Sequence, residues 1–292
     1  MPSVAFLSTD NLEDFFVYDE LLVPYFNQKG WKVETVSWHT NSENWGRFDY
    51  VIVRSTWDYQ QHAEAFLACL KQIDASSTTL LNPLRLMQWN IEKYYLKDLQ
   101  QKGVPIVKTI WETTFDNGVI DKAFDEFSSD AIVIKPVLSA NADDTFKLER
   151  ETWKESAGVL SNTFKQRDFM IQPFLSSIVE EGEYSLFYFG GAFSHAIKKV
   201  PQEGDFRVQE EHGGRLHPVS VDDVQLAVAE KALSAMPCNA LYARVDLVRQ
   251  NNNWAIMELE LIEPSLYFNL DEDSPVRFVE ALLAFHEAET NK

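Results

Sequence analysis

Between Leu241 and Tyr267 the chain reads LYARVDLVRQNNNWAIMELELIEPSLY, with Arg244, Asp246, Glu258 and Glu260 at alternate positions of two apolar stretches. Two β-strands around an Asn-rich turn account for this pattern, because side chains alternate between the faces of a strand. Ala243, Val245, Leu247, Met257, Leu259 and Leu261 would form the apolar back. A two-residue turn at Asn251 and Asn252 would set Asp246 opposite Met257, so the expectation is a three-residue loop, Asn251 to Asn253. Asp246 then faces Glu258, and Arg244 faces Glu260. Opposed carboxylates repel unless positive charge lies between them. Arg244 supplies one such charge, and a hard divalent cation suits clustered carboxylate oxygens better. A solvated sheet face on an acidic protein has the same pattern, so the hairpin alone leaves both readings open.

Other stretches carry positive charge in unusual places. In Ala131 to Pro136, AIVIKP, Lys135 interrupts an apolar strand and precedes a proline. A lysine there is costly to bury unless it snorkels or meets an anion. Ser139 to Thr145 follows as a small polar loop that could close over phosphates through backbone N–H groups, although it has no glycine. Lys93 sits at the start of an expected helix, Asn90 to Lys102, where a solvated surface lysine is the ordinary reading. Arg54, Ser55, Trp57, Asp58 and Tyr59 follow a short strand. Their mix of cation, hydroxyl and rings suits a small zwitterion, and equally a Trp packed on an edge beside an Arg in a surface pair.

These residues need elements to hold them. Up to residue 90, strands are expected at Val4–Leu7, Lys32–Ser37, Tyr50–Arg54 and Thr79–Leu81. Helical periodicity covers Asp14–Gln28, with a bend near Pro24, and His62–Ile73. Alternation of this kind suggests a small parallel α/β layer, whose functional loops lie at the carboxyl ends of strands. A strand is expected from Gly103 to Val107, and others at Phe146–Leu148 and Phe169–Leu175, with a helix over Trp153–Phe164. Tyr184–Phe189, Gly190-Gly191 and Ala192–Val200 read as a hairpin ending in Lys198 and Lys199. Helices are expected at Val221–Met236 and Pro275–Ala288.

The 292 residues carry a formal net charge of −19, which opposes binding to nucleic acid or an anionic membrane. Cys69 and Cys238 lie far apart in no ligand-like spacing. His195, His212 and His217 match no zinc motif. No glycine fingerprint of a dinucleotide site follows the first strand. With no signal peptide and no membrane-length apolar run, a soluble, cytoplasmic protein is the expectation.

In order along the chain, these segments resemble the ATP-grasp superfamily, the carboxylate–amine ligases typified by bacterial glutathione synthetase. Asn90 to Leu96 with Gly103-Val104-Pro105 resembles the stretch of the family's first nucleotide lysine, here Lys93. Val133-Ile134-Lys135-Pro136 resembles its second. Met170 to Phe174 is similar to the adenine hinge, which implies Gln172, Phe174 and Leu175 as nucleotide contacts, and Gly182-Glu183 to the ribose-binding acid. Lys199-Val200-Pro201, Gly204 to Arg207 and Gly213-Gly214 resemble the segment facing phosphate and acceptor, and Asp246, Glu258 and Glu260 the metal triad.

The resemblance implies an α/β protein (α+β lobes) with the ATP-grasp fold: a preceding parallel α/β domain, 1–90, a central lobe, 91–168, and a C-terminal lobe with the metal site, 169–292. The two lobes would sandwich ATP. Asp246, Glu258 and Glu260 would hold one or two Mg²⁺, with Mn²⁺ an alternative. The implied reaction activates a carboxylate as an acylphosphate, which an amine then attacks, releasing ADP and phosphate. Arg207 and Lys199 are implied to neutralise the transferring group. Arg54, Trp57, Tyr59 and Arg244 are candidates for holding an amino-acid-like small molecule. Val53 to Tyr59, Leu81-Asn82-Pro83 and Glu258 to Ser265 look most like a small group that includes the cyclo-ligase of D-cycloserine biosynthesis, which closes O-ureido-serine into a ring. Three features depart from the pattern: the glycine-free loop, Glu260 where Asn is common, and Gln209 where Asn is frequent. A nucleotide-binding module without catalysis, acting as a sensor or partner-binding protein, is the competing reading, and assembly as a homodimer is left open.

Overall fold

The structure, a computed structural model, describes residues 1–13, 15–40 and 43–291. Its first unit is a four-stranded parallel sheet. β1 (Ser3–Ser8) is followed by helix α1 (Val23–Gln28), β2 (Lys32–Ser37), β3 (Tyr50–Ser55), α2 (Ala63–Asp74) and β4 (Thr79–Leu81), in the order β2-β1-β3-β4. The near-continuous apolar run of β1 and β3 fits strands covered on both faces. The helix expected from Asp14 is shorter than its pattern. Asp14 itself lies outside the described residues. One 3₁₀ turn, Asp19–Leu22, leads into α1, where Pro24 falls in the first turn and needs no N–H partner.

Two short helices, α3 (Leu84–Asn90) and α4 (Tyr95–Gln101), replace the single helix expected over 90–102. Their break is specified by side chains. The Asn90 amide donates to the Leu259 carbonyl at 2.8 Å and accepts from the Leu261 N–H at 3.0 Å, while the Tyr95 hydroxyl accepts from the Leu259 N–H at 3.0 Å. Both residues thus satisfy the outer edge of a strand of the largest sheet, which would otherwise expose unpaired backbone. Residues 105–107 meet the same edge through a single bridge, Ile106 to Ile256, rather than as a full strand.

A second sheet is antiparallel. β5 (Ile110–Glu112), α5 (Asn117–Phe127), β6 (Ala131–Pro136), β7 (Phe146–Glu149), α6 (Ala157–Thr163) and β8 (Phe169–Pro173) give the order β5-β8-β6-β7. Phe124, Ile132, Ile134, Trp153, Phe164 and Ile171 fill the core under it. After α7 (Ser176–Glu180), the third sheet contains β9 (Glu183–Phe189), β10 (Ala192–Val200), β11 (Arg215–Pro218), β12 (Tyr242–Gln250) and β13 (Asn253–Glu260). Its order is β11-β10-β9-β12-β13, and it is flanked by α8 (Asp223–Ser234) and α9 (Ser274–Thr290). Among the described residues, no helix is long and apolar enough to cross a membrane.

The β12–β13 hairpin corrects one step of the sequence reading. The loop has two residues, with Gln250 pairing Asn253, and Asn251 and Asn252 take φ of +50° and +63°. Both central residues of a type I′ turn need positive φ, which Asn tolerates. Near the turn Leu247 pairs Ile256, yet beyond it Asp246 pairs Glu258 and Arg244 pairs Glu260. A β-bulge at Met257 absorbs the difference. The expected carboxylate pairing is present, but the bulge achieves it. Met257 therefore leaves the apolar back and lines the cleft described next.

Candidate active site

The central cleft lies between the second and third sheets, closed at one end by the carboxyl end of β3. It is lined by Lys93, Lys135, Gln172, Phe174, Leu175, Glu183, Lys199, Arg207, Arg244, Asp246, Glu258, Glu260, Trp57 and Tyr59. Of the candidate residues after β3, Arg54, Ser55 and Asp58 do not line it. Met257, Glu263, Tyr267 and Gln209 line it as well. Met257 was hidden by simple alternation. Glu263 lies beyond the strand where no period applies, and its only signal was its place before Pro264 in the charged end of the hairpin. Five basic side chains face six acidic ones in the cleft, so it is nearly balanced inside a strongly acidic protein. That balance is what allows an anionic ligand to approach.

The charged groups are interleaved. Asp246, 1% exposed, accepts from Arg244 at 2.9 Å, from the Ser185 hydroxyl, and lies 3.4 Å from Lys199. Burial opposes its charge, but the Arg244 guanidinium and the Lys199 ammonium outweigh it and hold the carboxyl at about 2. Lys199 also meets Glu183 at 2.5 Å. Burial pushes the Glu183 carboxyl up despite that contact. Arg244 also pairs with Glu260, whose carboxyl is raised to about 7 by burial and by the neighbouring Glu258 and Asp246 charges. Lys93 projects from the α3–α4 break, donates to the Ser139 carbonyl at 2.8 Å and meets Glu258 at 2.7 Å. Burial works against the Glu258 charge, and Lys93 and Lys135 together still lower its carboxyl below the usual range. Lys135 is itself lowered, mainly by burial.

One carboxylate oxygen from each of Asp246, Glu258 and Glu260 lies within 4.8 Å of the others, and among the described residues this is the only such group of potential metal ligands. Hard oxygen donors at that spacing fit Mg²⁺ or Mn²⁺. The polar loop Ser139–Thr145 borders the same cleft. Lacking glycine, it still turns through the left-handed region at Asn141, Ala142 and Asp144, with φ of +50° to +58°. Short contacts tether it: the Asn141 carbonyl lies 3.3 Å from His212 Nε2, and Gln60 donates to Asp143 at 3.1 Å. Gln209 Oε1 is buried at the cleft wall without a partner among the described residues. Arg207 is half-exposed and paired with Asp205 at 2.8 Å.

Arg54 has a different position from the one expected. It is 2% exposed, paired with Asp19 at 2.9 Å, and donates to the Pro264 carbonyl at 3.1 Å. Trp57 donates its indole N–H to the Glu263 carbonyl at 2.8 Å. The RSTWDY stretch therefore anchors the backbone that continues the hairpin, and Trp57 and Tyr59 reach the cleft from there.

A family model described as the ATP-grasp domain of prokaryotic glutathione synthetase matches residues 95–260, and one described as the N-terminal domain of D-cycloserine synthetase DcsG matches residues 4–82. The chain is similar to the cycloserine biosynthesis protein DcsG of Streptomyces lavendulae, at 29% identity over 274 residues, covering 87% of this chain and 88% of the relative. The crystal structure of D-cycloserine synthetase DcsG superposes with a TM-score of 0.83 at 28% identity, covering 96% of this chain and 98% of that one. An ATP-grasp ligase, PsnB, solved with a minimal precursor, Mg and ADP, shares the fold at a TM-score of 0.66 and 16% identity, covering 97% of each chain.

Proposed function

Because the chain belongs to the prokaryotic glutathione synthetase ATP-grasp family and is an ATP-dependent ligase, we propose that it activates the carboxylate of an amino-acid-like substrate and joins it to an amine. The likeness to D-cycloserine synthetase across nearly the whole chain supports an intramolecular version, in which amine and carboxylate belong to one molecule and a ring closes. In this reading residues 1–90 shape the substrate end, 91–168 and 169–292 hold the nucleotide between them, and the product is cyclic.

The observation that carries it is the three-carboxylate cluster set between Lys93, Lys135 and Lys199 in one cleft. Lys93 and Lys135 would meet the phosphate oxygens. Gln172, Phe174, Leu175 and Met257 would form the adenine side, and Glu183 would meet the ribose while sharing Lys199. Asp246, Glu258 and Glu260 would hold Mg²⁺, which when bound neutralises and orients phosphate oxygens. The substrate carboxylate oxygen attacks the γ-phosphorus and the bond to ADP breaks. The amine nitrogen then attacks the acyl carbon, phosphate leaves with the bonding pair, and the nitrogen loses a proton. Arg207 and Lys199 offset the charge that passes between the two steps.

The test is the melting temperature with and without ATP and Mg²⁺, for wild type, Glu258→Gln and Lys135→Met. A ligand at a hundred times its dissociation constant adds about 2.7 kcal/mol, a shift of several degrees. A Mg²⁺-dependent shift in wild type that shrinks in both variants is expected. No shift in wild type at millimolar ATP would overturn the proposal in favour of a fold without this activity.

A further inference from the structure

Six carboxylates line the cleft, and five of them have a visible explanation. Glu183, Asp246, Glu258 and Glu260 each lie against a lysine or arginine, and Glu211 is exposed to solvent. Glu263 is partly buried, lines the cleft, and among the described residues forms no ion pair with any lysine, arginine or histidine. A carboxylate drawn out of water without a cation is costly, and proteins keep such groups where a ligand completes them.

The surroundings of Glu263 are built rather than accidental. Its backbone carbonyl accepts from the Trp57 indole at 2.8 Å, and the next residue, Pro264, is held by buried Arg54 at 3.1 Å. The Tyr59 hydroxyl faces its carboxylate. Trp57 and Tyr59, both nearly buried, line the cleft beside it. A carboxyl group with a hydroxyl and aromatic faces around it, and no lysine or arginine paired with it among the described residues, is an environment that can recognise a small ammonium ion. Through Trp57 and Arg54 its segment is tied to the carboxyl end of β3.

We propose that Glu263, framed by Tyr59 and Trp57, holds the ammonium group of the amino-acid-like substrate and so selects substrates that carry one. This deepens the ligase reading above and rests on it. Arg54 is a positioning residue in this arrangement, since it touches the segment and not the cleft.

D-cycloserine, the product named for the similar synthetase, bears a primary amine on an isoxazolidinone ring; unsubstituted 3-isoxazolidinone lacks only that amine. The experiment is calorimetric titration of each ring into the full chain with Mg²⁺ and ADP present. Wild type should bind the amine-bearing ring at least tenfold more tightly than the bare ring. Glu263→Gln should level the two while its ADP affinity stays as in wild type and its melting temperature does not fall. Tyr59→Phe, which keeps the charge and removes the facing hydroxyl, should retain the preference in weakened form. Equal binding of both rings to wild type, or an undiminished preference in Glu263→Gln, would overturn the ammonium site and leave the ligase reading standing. If neither ring binds to protein that does bind ADP, the cyclising version of the ligase reading falls, and the ammonium site with it.

Discussion

Asn82 joins the parallel sheet to the third sheet, and its removal should be felt throughout the molecule. The residue is fully buried. Its amide donates to the Tyr242 carbonyl at 2.9 Å and to the Leu261 carbonyl at 2.7 Å, and its oxygen accepts from the Leu241 N–H at 2.7 Å. Asn82→Ala removes these three bonds and a longer fourth, from the Tyr242 N–H at 3.4 Å, and leaves the Leu241 N–H without its partner. At about 0.5–1.5 kcal/mol for each bond, with a further penalty for the orphaned donor, the loss comes to about 3–5 kcal/mol. For a chain of this size that lowers the melting temperature by about 10 °C. Urea unfolding at constant m-value measures it directly. Asn82→Asp is the sharper variant. It has the same shape but points a carboxylate oxygen at two carbonyls, so at pH 7 it should be less stable than Asn82→Ala, with the gap narrowing as the medium is acidified. An alanine variant within about 1 kcal/mol of wild type, or an aspartate variant more stable than alanine, would refute the hydrogen-bond account.

His195 predicts an acid-sensitive core. It is buried, stacked on Phe187 at 4.3 Å, donates from Nε2 to the Leu266 carbonyl and accepts at Nδ1 from the Ser194 hydroxyl. Burial, only partly offset by Asp271, lowers it to about 4. Above pH 7 neither folded nor unfolded chain protonates it. Below, the unfolded chain takes the proton first, so stability falls by about 2 kcal/mol between pH 7.5 and 5. His195→Gln should lose that part of the pH dependence, and a wild-type-minus-variant difference that is flat across pH 5–8 would count against it. Arg54→Met should cost about 2–4 kcal/mol by leaving the half-buried Asp19 without its partner, yet leave ATP affinity unchanged. Adding Asp19→Asn should restore part of the loss; a variant of normal stability with impaired substrate handling would return Arg54 to the cleft.

The elements were legible wherever a period was long and clean. The limits of β2, β4 and β6 follow from composition alone, as does the parallel layer formed by short strands alternating with helices. Strand alternation likewise places Arg244 with Asp246 on one face of β12 and Glu258 with Glu260 on one face of β13, but it does not bring the two pairs to the same face of the sheet. What the sequence could not disclose depends on partners distant in the chain. The break that frees Lys93 exists because Asn90 and Tyr95 bond β13, some 170 residues away. The bulge at Met257 reconciles a two-residue turn with a pairing set further along the hairpin, a choice that no single strand encodes. Arg54 looked like a ligand because charge at a strand end so often is. Only the packing of Asp19 and Pro264 around it buries that charge, and the next turn of chain leaves Glu263 facing the cleft without an ion pair among the described residues. Local periodicity is written residue by residue, whereas the partner of a buried charge is decided by which distant segments the fold brings within a few ångströms.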